Sequence, residues 1–330
     1  MADLAIVILN WNGQEMLKRF LPSVLKYSDG ADVYVADNGS TDGSLSLLRE
    51  EMPEAKLIVL DRNYGFAEGY NRALKSLSGY EFYLLLNSDV EVKEGWLSAM
   101  MSYMRQHRDV AACQPKLLCQ WRPTHFEYAG GAGGYIDALG YPYCRGRIFG
   151  TVEEDRGQYD TIADVHWASG AALLVRSEDY WRVGGLDGRF FAHQEEIDLC
   201  WRLWRSGRRV VCVPQSVVYH WGGGTLPQGS ARKTYLNFRN NHWLLRKNLP
   251  AGVYRRVERW RLWLDMLAAL QMLLTGQGRS ALAVLRGRRD ARRGDVHCEV
   301  TEGDAPVLPL KPGSLLWHYY IKGKKTFSEL

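Results

Sequence analysis

Short apolar runs alternate with amphipathic stretches through the first half of the chain. The runs are LAIVIL (4–9), VYVA (33–36), KLIVL (56–60), YLLL (83–86) and VAAC (110–113). The amphipathic stretches begin near Gln14, Thr41, Phe66 and Glu94. Apolar runs of this length are typical of strands buried on both faces, and the stretches between them are typical of covering helices. The pattern predicts an α/β fold with a mostly parallel central sheet flanked by helices.

The second half of the chain is less regular. Residues 114–165 are rich in Gly, Tyr, Pro and Arg, which predicts an irregular excursion with hairpins. Order returns with the run ASGAALLV (168–175), a helix over 194–206 and the strand RVVCV (209–213). After residue 224 the pattern turns helical and basic. We therefore expect a first α/β domain over 1–225 and a helical, basic C-terminal extension and tail over 226–330.

Composition narrows the class of protein. The 330 residues are 46% hydrophobic and 24% charged, with a net charge of only +5, so no global field indicates a nucleic-acid partner. The six cysteines form no C-x-x-C pair, which favours buried thiols in a reducing compartment. The N-terminal apolar run is too short for a signal peptide or a spanning helix. We expect a globular cytoplasmic protein.

Polar residues follow each of the first four strands. Asn10 and Asn12 come after the first, Asp37 after the second, DRNYGFAEGYN after the third, and Asn87, Ser88 and Asp89 after the fourth. Ligands of open α/β sheets bind at the carboxyl ends of the strands. These loops are therefore predicted to line one crevice.

Six segments in order resemble the motifs of family 2 glycosyltransferases of the GT-A fold, especially the rhamnosyltransferase-like branch. They are VILNWNG, VADNGSTDGS, NYGFAEGYNRAL, LLLNSDVEV, the stretch from GAALLVRSEDYW to RLWRSG, and VVYHWGG. The resemblance covers about the first 225 residues and, weakly, the segment LNFRNNHWLLRKNLP (236–250). It implies a Rossmann-like GT-A domain and inverting transfer of a sugar from a nucleoside diphosphate donor, assisted by Mg²⁺ or Mn²⁺.

The resemblance assigns the first two loops to the donor nucleotide. Leu9, Asn10 and Asn12 belong to the first motif, and Asp37 matches an aspartate that accepts a hydrogen bond from N3–H of uracil or thymine. A UDP- or dTDP-sugar donor is the consequence. From the residues alone, Asp37 could equally cap the turn into the following helix, and both interpretations stay open.

The third loop supplies glycines and amides near the same edge. Gly65 and Gly69 flank a helix start and allow close backbone approach, while Asn63 and Asn71 supply side-chain amides. In the resembling family this loop surrounds the nucleotide. A helix-capping glycine and a packing glycine are the alternative, and it is equally good for Gly69.

The fourth loop departs from the D-x-D signature, because Asn87 replaces the first acid. Asp89 is left as the anionic ligand for a hard cation, with Asn87 and Ser88 near the ribose or diphosphate. His220 occupies the position at which relatives place a metal ligand or a diphosphate contact. A lone histidine is more often a hydrogen-bonded structural residue, and this alternative stays open.

Three acids cluster at a predicted helix start. They are Glu195, Glu196 and Asp198, and acids are favoured in a first helical turn whatever the function. Inverting transfer needs a base to deprotonate the acceptor hydroxyl. Residue by residue, Glu196 matches the family's general base and is preferred over Glu195, while Asp198 and Arg202 resemble a structural pair.

The acceptor side is predicted from the segment before these acids. Gly170 and Ala171 resemble small residues that line the acceptor site, and Trp167 is a candidate to stack on a sugar face. A buried strand with a packing glycine explains the same residues nearly as well.

The basic C-terminal helices allow two partners. The stretch over 260–274 is apolar but interrupted by Asp265 and Gln271, and arginines flank it. It would either pack on the catalytic domain or a second subunit of a homodimer, or attach the protein to the anionic inner face of a membrane. The sequence does not decide between them.

The leading hypothesis is an inverting, non-processive glycosyltransferase that acts on a glycan or lipid-linked acceptor in surface polysaccharide synthesis. A processive synthase would be expected to show a Q-x-x-R-W motif and spanning helices, and the sequence shows neither. One alternative is a nucleotide-sugar-binding protein that has lost catalysis, suggested by the incomplete D-x-D. A dinucleotide-dependent oxidoreductase is the other, but no G-x-G-x-x-G follows the first strand.

Overall fold

The alternating pattern folds as predicted into strands and covering helices. A computed structural model describes residues 3–28, 30–222, 230–301, 304–305 and 307–330. The strands are, in chain order, β1 (Leu4–Asn10), β2 (Asp32–Asn38), β3 (Lys56–Leu60), β4 (Phe82–Asn87), β5 (Val90–Val92), β6 (Val110–Cys119), β7 (Arg122–Phe126), β8 (Gly134–Ile136), β9 (Pro142–Cys144), β10 (Arg147–Ile148), β11 (Thr151–Val152), β12 (Ala163–Asp164), β13 (Ala172–Arg176) and β14 (Arg209–His220).

Nine α-helices lie within the described ranges, besides three short helical turns at Gly188–Phe190, Trp317–Ile321 and Phe327–Glu329. The α-helices are α1 (Gln14–Tyr27), α2 (Ser44–Glu50), α3 (Gly65–Lys75), α4 (Ser98–Gln106), α5 (Ser177–Arg182), α6 (Glu195–Arg205), α7 (Ala231–Asn248), α8 (Ala251–Leu274) and α9 (Gly278–Arg293). The helix predicted over 194–206 is α6, and the strand predicted over 209–213 extends to His220.

The main sheet has the strand order β12-β14-β6-β13-β4-β1-β2-β3. Strand β1 pairs in parallel with β2 and β4, β2 with β3, and β14 with β6. Strand β13 runs antiparallel between β4 and β6. The predicted α/β class with a mostly parallel sheet is confirmed.

Alternate residues of the central strands enter two hydrophobic cores, one on each face of the sheet. In β1, Ala5 and Val7 join the core that contains Tyr70 of α3. Ile6 and Ile8 join the core that contains Leu17 of α1. Because both faces are buried, the strands read as continuous apolar runs rather than as alternating ones.

The predicted irregular excursion contains a second, smaller sheet. Strands β11, β10, β9 and β8 form one four-stranded antiparallel sheet in that order. The tail returns to this sheet, since the backbone N–H of Lys311 donates to the carbonyl of Ile136 and that of Leu315 to the Asp137 carboxylate. The excursion and the tail thus build one wall of the molecule together.

The C-terminal helices share a core with the first part of the chain. Leu244 of α7, Val257 of α8 and Ala291 of α9 belong to the same hydrophobic cluster as the sheet residues Ala5 and Val7. The predicted boundary between residues 225 and 226 lies outside the described residues. Among the described helices, none is both long and apolar enough to cross a membrane.

Candidate active site

The register of the parallel strands aligns the predicted nucleotide residues at one edge. Asn10 lies opposite Asp37 and Leu9 opposite Asn87. Asp37 is fully buried, and its carboxylate accepts hydrogen bonds from Asn10 Nδ2 (3.1 Å) and from the Ser40 backbone N–H (2.9 Å). It therefore caps the turn, as the alternative interpretation expected. A carboxylate has about four acceptor positions, of which these bonds occupy two.

Asn12 connects the first two strand-end loops. Its backbone, at φ 51°, is left-handed, its N–H donates to Ser40 Oγ (2.9 Å), and its Oδ1 accepts from the Thr41 N–H (2.7 Å). Trp11, directly before it, follows the same strand and is exposed. An exposed indole beside the nucleotide loops offers a stacking face for a base.

The third loop is fixed by its amides and glycines. Asn63 Oδ1 accepts from the Gly65 N–H (2.8 Å). A Cβ on Gly65, where φ is +80°, would lie 2.5 Å from the Phe191 ring, and one on Gly69 would lie 3.0 Å from Leu9. Only glycine fits at residue 65, because both the conformation and the space exclude a side chain.

Asn71 is directed away from this crevice. Its Nδ2 donates to the Leu186 carbonyl (2.6 Å), and its Oδ1 accepts from the Tyr180 hydroxyl (2.6 Å) and the Leu186 N–H (3.0 Å). These bonds hold the segment that precedes the predicted catalytic loop. The structure thus brings Asn63, Gly65 and Gly69 to the strand ends that carry Leu9 and Asn38, and gives Asn71 a scaffolding contact.

Asp89 and His220 are neighbours, and a third ionisable residue joins them. His220 Nε2 lies 3.0 Å from Asp89 Oδ1, and His220 Nδ1 lies 3.3 Å from Glu127 Oε1. Asn87 Nδ2 lies 3.4 Å from the same Nε2, and a Cβ on Gly13 would lie 3.8 Å from Ser88 Oγ. Burial lowers the pKa of His220, but the two carboxylates outweigh it and hold that pKa well above its ordinary value.

Sequence reasoning missed Glu127. It follows β7 in the irregular excursion, a region without periodicity in which no single acid stood out. The only available signal was an acid directly after a strand and before a glycine-rich stretch. Its place beside His220 depends on a pairing of distant segments that the sequence does not reveal.

The donor atoms around Asp89 fit a hard cation in part. The described residues contain no group of three or more His, Cys, Asp or Glu side chains able to hold a metal ion. His220 Nε2 faces Asp89 rather than open space. Carboxylate, phosphate and water oxygens suit Mg²⁺ or Mn²⁺. The residues present therefore fit such an ion together with a ligand that brings oxygens of its own, and direct ligation by His220 stays a prediction.

The loop before α6 holds an unusual backbone conformation. Phe191, His193 and Gln194 all have positive φ, at 66°, 72° and 71°. Non-glycine residues rarely adopt this region, so three within four residues must be held by their surroundings. The Phe191 carbonyl accepts from the Phe66 N–H (2.7 Å) at the start of α3. This bond ties the loop to the start of α3.

Helix α7 supplies the other restraints on this loop. Asn240 Nδ2 lies within hydrogen-bond distance of three carbonyls, those of Phe190 (3.0 Å), Ala192 (2.8 Å) and His193 (2.7 Å). Asn241 Nδ2 donates to Gln194 Oε1 (3.1 Å). Sequence reasoning assigned neither asparagine a role; two consecutive amides on a basic, amphipathic helix were the signal that could have found them.

Glu195 and Glu196 begin α6 with raised pKa values. Burial raises the pKa of Glu196 to about 7. Burial, and then the neighbouring Glu196, raises the pKa of Glu195 well above its ordinary value. The Oε2 atom of each carboxyl is buried and has no hydrogen-bond partner among the described residues. Glu196 retains partial exposure, whereas Glu195 is buried.

Asp198 has the opposite electrostatics. It is buried and lies beside Arg202 (2.8 Å), Lys247 (2.9 Å) and Asn248 (2.8 Å). Burial would raise the pKa of Asp198, but the two cations and the amide lower it below its ordinary value. The expected pair of Asp198 and Arg202 is present within α6. The bonds from Lys247 and Asn248 to Asp198 join α6 to α7.

The acceptor-side residues differ in their access to the crevice. A Cβ on Gly170 would lie 3.7 Å from Glu196 Cβ and 3.5 Å from the Phe66 ring. The Ala171 carbonyl accepts from the Asn87 N–H (3.0 Å). Trp167 is buried in the core and donates its Nε1–H to the Tyr135 carbonyl (3.1 Å). Gly170 and Ala171 thus lie between Glu196 and Asn87, while Trp167 supports the wall behind them.

Comparison with known proteins finds a matching family and similar relatives. A family model described as "Glycosyl transferase family 2" matches residues 5–170. The N-acetylglucosaminyl-diphospho-decaprenol L-rhamnosyltransferase of Mycobacterium tuberculosis is 26% identical over 277 residues, which cover 78% of this chain and 89% of the relative.

Two solved structures share the fold. One is GalNAc-T7 with UDP, GalNAc and Mn²⁺, at a TM-score of 0.58 and 17% identity. The match covers 88% of this chain and 54% of that one, so this chain spans about half of that structure. The other is the mannosyltransferase PcManGT from Pyrobaculum calidifontis with GDP-Man and Mn²⁺, at a TM-score of 0.54, 14% identity and coverage of 88% and 87%. Identities this low show the likeness of fold alone.

Proposed function

The chain belongs to glycosyl transferase family 2 and has the GT-A fold, and on that premise we propose that it is an inverting, non-processive enzyme that transfers a sugar from a UDP- or dTDP-sugar to a glycan or lipid-linked acceptor. The observation that carries the proposal is the place of Glu196. This carboxyl, with a pKa raised to about 7, lies beside Gly170 next to the strand ends that hold Asp37 and Asn87.

The chemistry assigned to these residues is a single displacement. The acceptor hydroxyl oxygen attacks the anomeric carbon, the bond from that carbon to the diphosphate oxygen breaks, and its electron pair leaves with the nucleoside diphosphate. Glu196 takes the hydroxyl proton, for which a pKa near the working pH is favourable. The acceptor sugar then gains the glycosidic bond with inverted configuration at the anomeric carbon.

Recognition of the donor's nucleobase is assigned to Asp37. A buried carboxylate at the strand edge with acceptor capacity to spare suits the N3–H of uracil or thymine, a donor that cytosine lacks. Leu9, Asn10, Asn12, Asn63, Gly65 and Gly69 line the same edge in this proposal, and Asn71 acts by holding the segment behind it. The relative from M. tuberculosis is a rhamnosyltransferase, and we propose a deoxyhexose as the transferred sugar.

The cation is assigned to Asp89. When bound, Mg²⁺ or Mn²⁺ would supply positive charge to the departing diphosphate. Asn87 and Ser88 would contact the ribose or diphosphate, and Glu127 with His220 would hold Asp89 in place.

A substitution at Asp89 tests the cation assignment. Asp89→Asn keeps the shape but removes the charge, so we expect the Mn²⁺-dependent gain in donor affinity to fall by about tenfold or more. Calorimetric titration of the nucleotide with and without Mn²⁺ measures it. Equal gains in the wild-type and variant proteins would contradict the assignment.

The acceptor places the enzyme near a membrane. The relative from M. tuberculosis is named for N-acetylglucosaminyl-diphospho-decaprenol, a sugar on a lipid carrier. We propose a comparable lipid-linked acceptor in surface polysaccharide synthesis. The enzyme would work in the cytoplasm, at the inner membrane face. Its C-terminal helices would contact either the membrane surface or a second subunit of a homodimer.

A donor panel tests the function as a whole. Purified protein with Mn²⁺ is incubated with UDP-, dTDP- and GDP-sugars and a short-chain lipid-linked N-acetylglucosamine. We expect a uracil or thymine donor to raise the melting temperature, with release of its nucleoside diphosphate and inverted configuration in the product. Binding without release or transfer would favour the catalytically impaired binding protein. Family membership leaves the oxidoreductase alternative without support.

A further inference from the structure

Helix α8 has charged side chains on its buried side and apolar side chains on its exposed side. Its inward side includes the charged residues Arg261 and Asp265, which are almost completely buried. Its outward side is a row of apolar side chains, each between 51% and 78% exposed: Trp260, Trp263, Leu267, Leu270 and Leu274. Spacings of three and four residues keep the row on one side of the helix. An ordinary surface helix turns its apolar side inward, and α8 does the reverse.

The buried charges fix the helix in this orientation. Asp265 lies 2.8 Å from His242 Nε2 of α7 and forms ion pairs with Arg261 and with Arg288 of α9. Arg288 also pairs with Glu258, about two turns before Asp265 on α8. Rotating the helix to bury the tryptophans would break these pairs and leave buried charges without partners. The apolar row is therefore held outward by the fold.

The surface around the row is strongly basic. Residues 251–293 contain ten arginines and three acids, a formal charge of +7, and since the whole chain carries +5 the remainder carries −2. Eight of the arginines are exposed: Arg255, Arg256, Arg259, Arg279, Arg286, Arg289, Arg292 and Arg293. The three acids, Glu258, Asp265 and Asp290, are all ion-paired. The exposed charge of this helical pair is thus almost entirely positive.

We propose that the outward row of α8 and its surrounding arginines form a docking surface for an anionic lipid bilayer. Tryptophan favours the boundary between headgroups and acyl chains, and arginine is attracted to anionic headgroups. The 24 residues of α8 would lie in the plane of the membrane, with Trp260 and Trp263 inserted.

A second copy of the chain is the competing occupant. Spacings of three and four residues also suit a coiled-coil seam. Two such faces brought together would, however, oppose two densely positive surfaces, which repel each other. Charge complementarity therefore favours the lipid surface. The proposal deepens the proposed function, since a lipid-linked acceptor would lie in that bilayer, but vesicle binding does not require transfer and can be measured apart from it.

Flotation with vesicles tests the tryptophans. Full-length protein is mixed with vesicles of phosphatidylcholine alone or with equal phosphatidylglycerol at low salt. We expect binding to the anionic vesicles only, and a loss of affinity of about tenfold or more in the double variant Trp260→Gln, Trp263→Gln. The control is Trp121→Gln, because Trp121 is as exposed but lies at the turn between β6 and β7. Its binding should match the wild type.

A second pair of variants tests the charges. Arg255→Gln with Arg256→Gln should weaken binding to anionic vesicles and reduce its dependence on salt. Arg49→Gln with Lys75→Gln removes the same charge from exposed positions on α2 and α3 and should leave binding unchanged. Circular dichroism melts confirm that each variant is folded. Transfer to an acceptor without a lipid should proceed at the wild-type rate in the tryptophan variant.

Two outcomes would overturn the proposal. One is failure of the folded wild type to bind anionic vesicles at low salt. The other is a dimer in light scattering that the tryptophan substitutions dissociate, because the row would then be the interface between two copies. Loss of transfer to every acceptor, with vesicle binding intact, would instead contradict the proposed function and leave the docking surface standing.

Discussion

At the scale of single residues, Glu195 and Glu196 are adjacent but have different surroundings. Glu195 is buried without a partner for its Oε2, while Glu196 is partly exposed beside Gly170. Because the folded-state pKa of Glu195 is above its unfolded value, the folded protein binds the proton more tightly. Stability from this residue is therefore present at low pH and is lost as the pH rises above about 4.5 towards the folded-state pKa.

Replacing Glu195 by glutamine should stabilise the protein at alkaline pH. Glu195→Gln removes the charge, so we expect a gain in the free energy of unfolding of about 1 to 3 kcal/mol at pH 8 and a smaller gain at pH 5. Thermal melts at the two pH values measure it. A loss of stability at pH 8 would show that the Glu195 carboxylate has a favourable partner in the folded state.

Residues at the ends of parallel strands were within reach of sequence reasoning. Asn10, Asp37 and Asn87 follow recognisable apolar runs, and the parallel arrangement alone aligns them. Glu127 and Asn240 were out of reach, because Glu127 lies in an aperiodic region and Asn240 lies on a later helix, 47 residues beyond the His193 carbonyl that it contacts. Their positions follow from packing, which no local pattern encodes.

At the scale of elements, the loop from Phe190 to Gln194 depends on α7. Its left-handed residues are held by the Asn240 side chain and by the bond between Phe66 and Phe191. The loop leads directly into α6, which carries Glu196. Movement of the loop would therefore displace the proposed base without altering the strand ends that line the nucleotide side.

Substitution of Asn240 should separate turnover from donor binding. Asn240→Leu keeps the volume but removes the amide donor, so we expect kcat to fall by about 10- to 100-fold, donor affinity to stay near that of the wild type, and amide exchange over 190–194 to accelerate. Asn237→Leu, on the same helix, is the control, because only its backbone carbonyl contacts Gln194. Unchanged kcat and exchange in Asn240→Leu would refute the positioning role.

The periodicity of the sequence predicted which segments are helices and strands, but it did not predict where the helices begin. Helix α2 begins at Ser44 rather than near Thr41, because the Asp42 carboxylate accepts from the Ser44 N–H (3.0 Å) and from the Gln14 N–H (3.1 Å). Helix α4 begins at Ser98 rather than near Glu94, because Gly95 at φ +79° interrupts the helix. Such boundaries are set by single hydrogen bonds and dihedral angles that apolar spacing does not report.

At the scale of the whole molecule, the C-terminal helices are part of the catalytic body. Val257, Ala291 and Val296 lie in the same hydrophobic cluster as Trp243 and Leu244 of α7. The cluster of Asp265, Arg288 and His242 adds buried ion pairs between α7, α8 and α9. The domain boundary near residue 225 stays a prediction; the shared core is a packing feature that a change of secondary structure and charge along the sequence does not reveal.

A chain that ends at residue 250 should be much less stable than the full chain. It exposes the apolar side of α7 and leaves His242 without Asp265, so we expect a loss of several kcal/mol and a melting temperature lower by more than about 10 °C. Differential scanning calorimetry of both chains measures it. A melting temperature equal to that of the full chain would show that residues 251–330 form an independent unit.

The central claim is that Glu196 is the base of a glycosyl transfer at the strand-end crevice. The most direct measurement is kcat/KM for transfer as a function of pH in the wild type and in Glu196→Gln, with donor affinity determined in parallel. We expect the wild-type rate to rise through a pKa of about 7, and the variant to bind donor normally but to transfer at least about 100-fold more slowly with that rise lost. A variant that keeps the wild-type rate and pH profile would contradict the account.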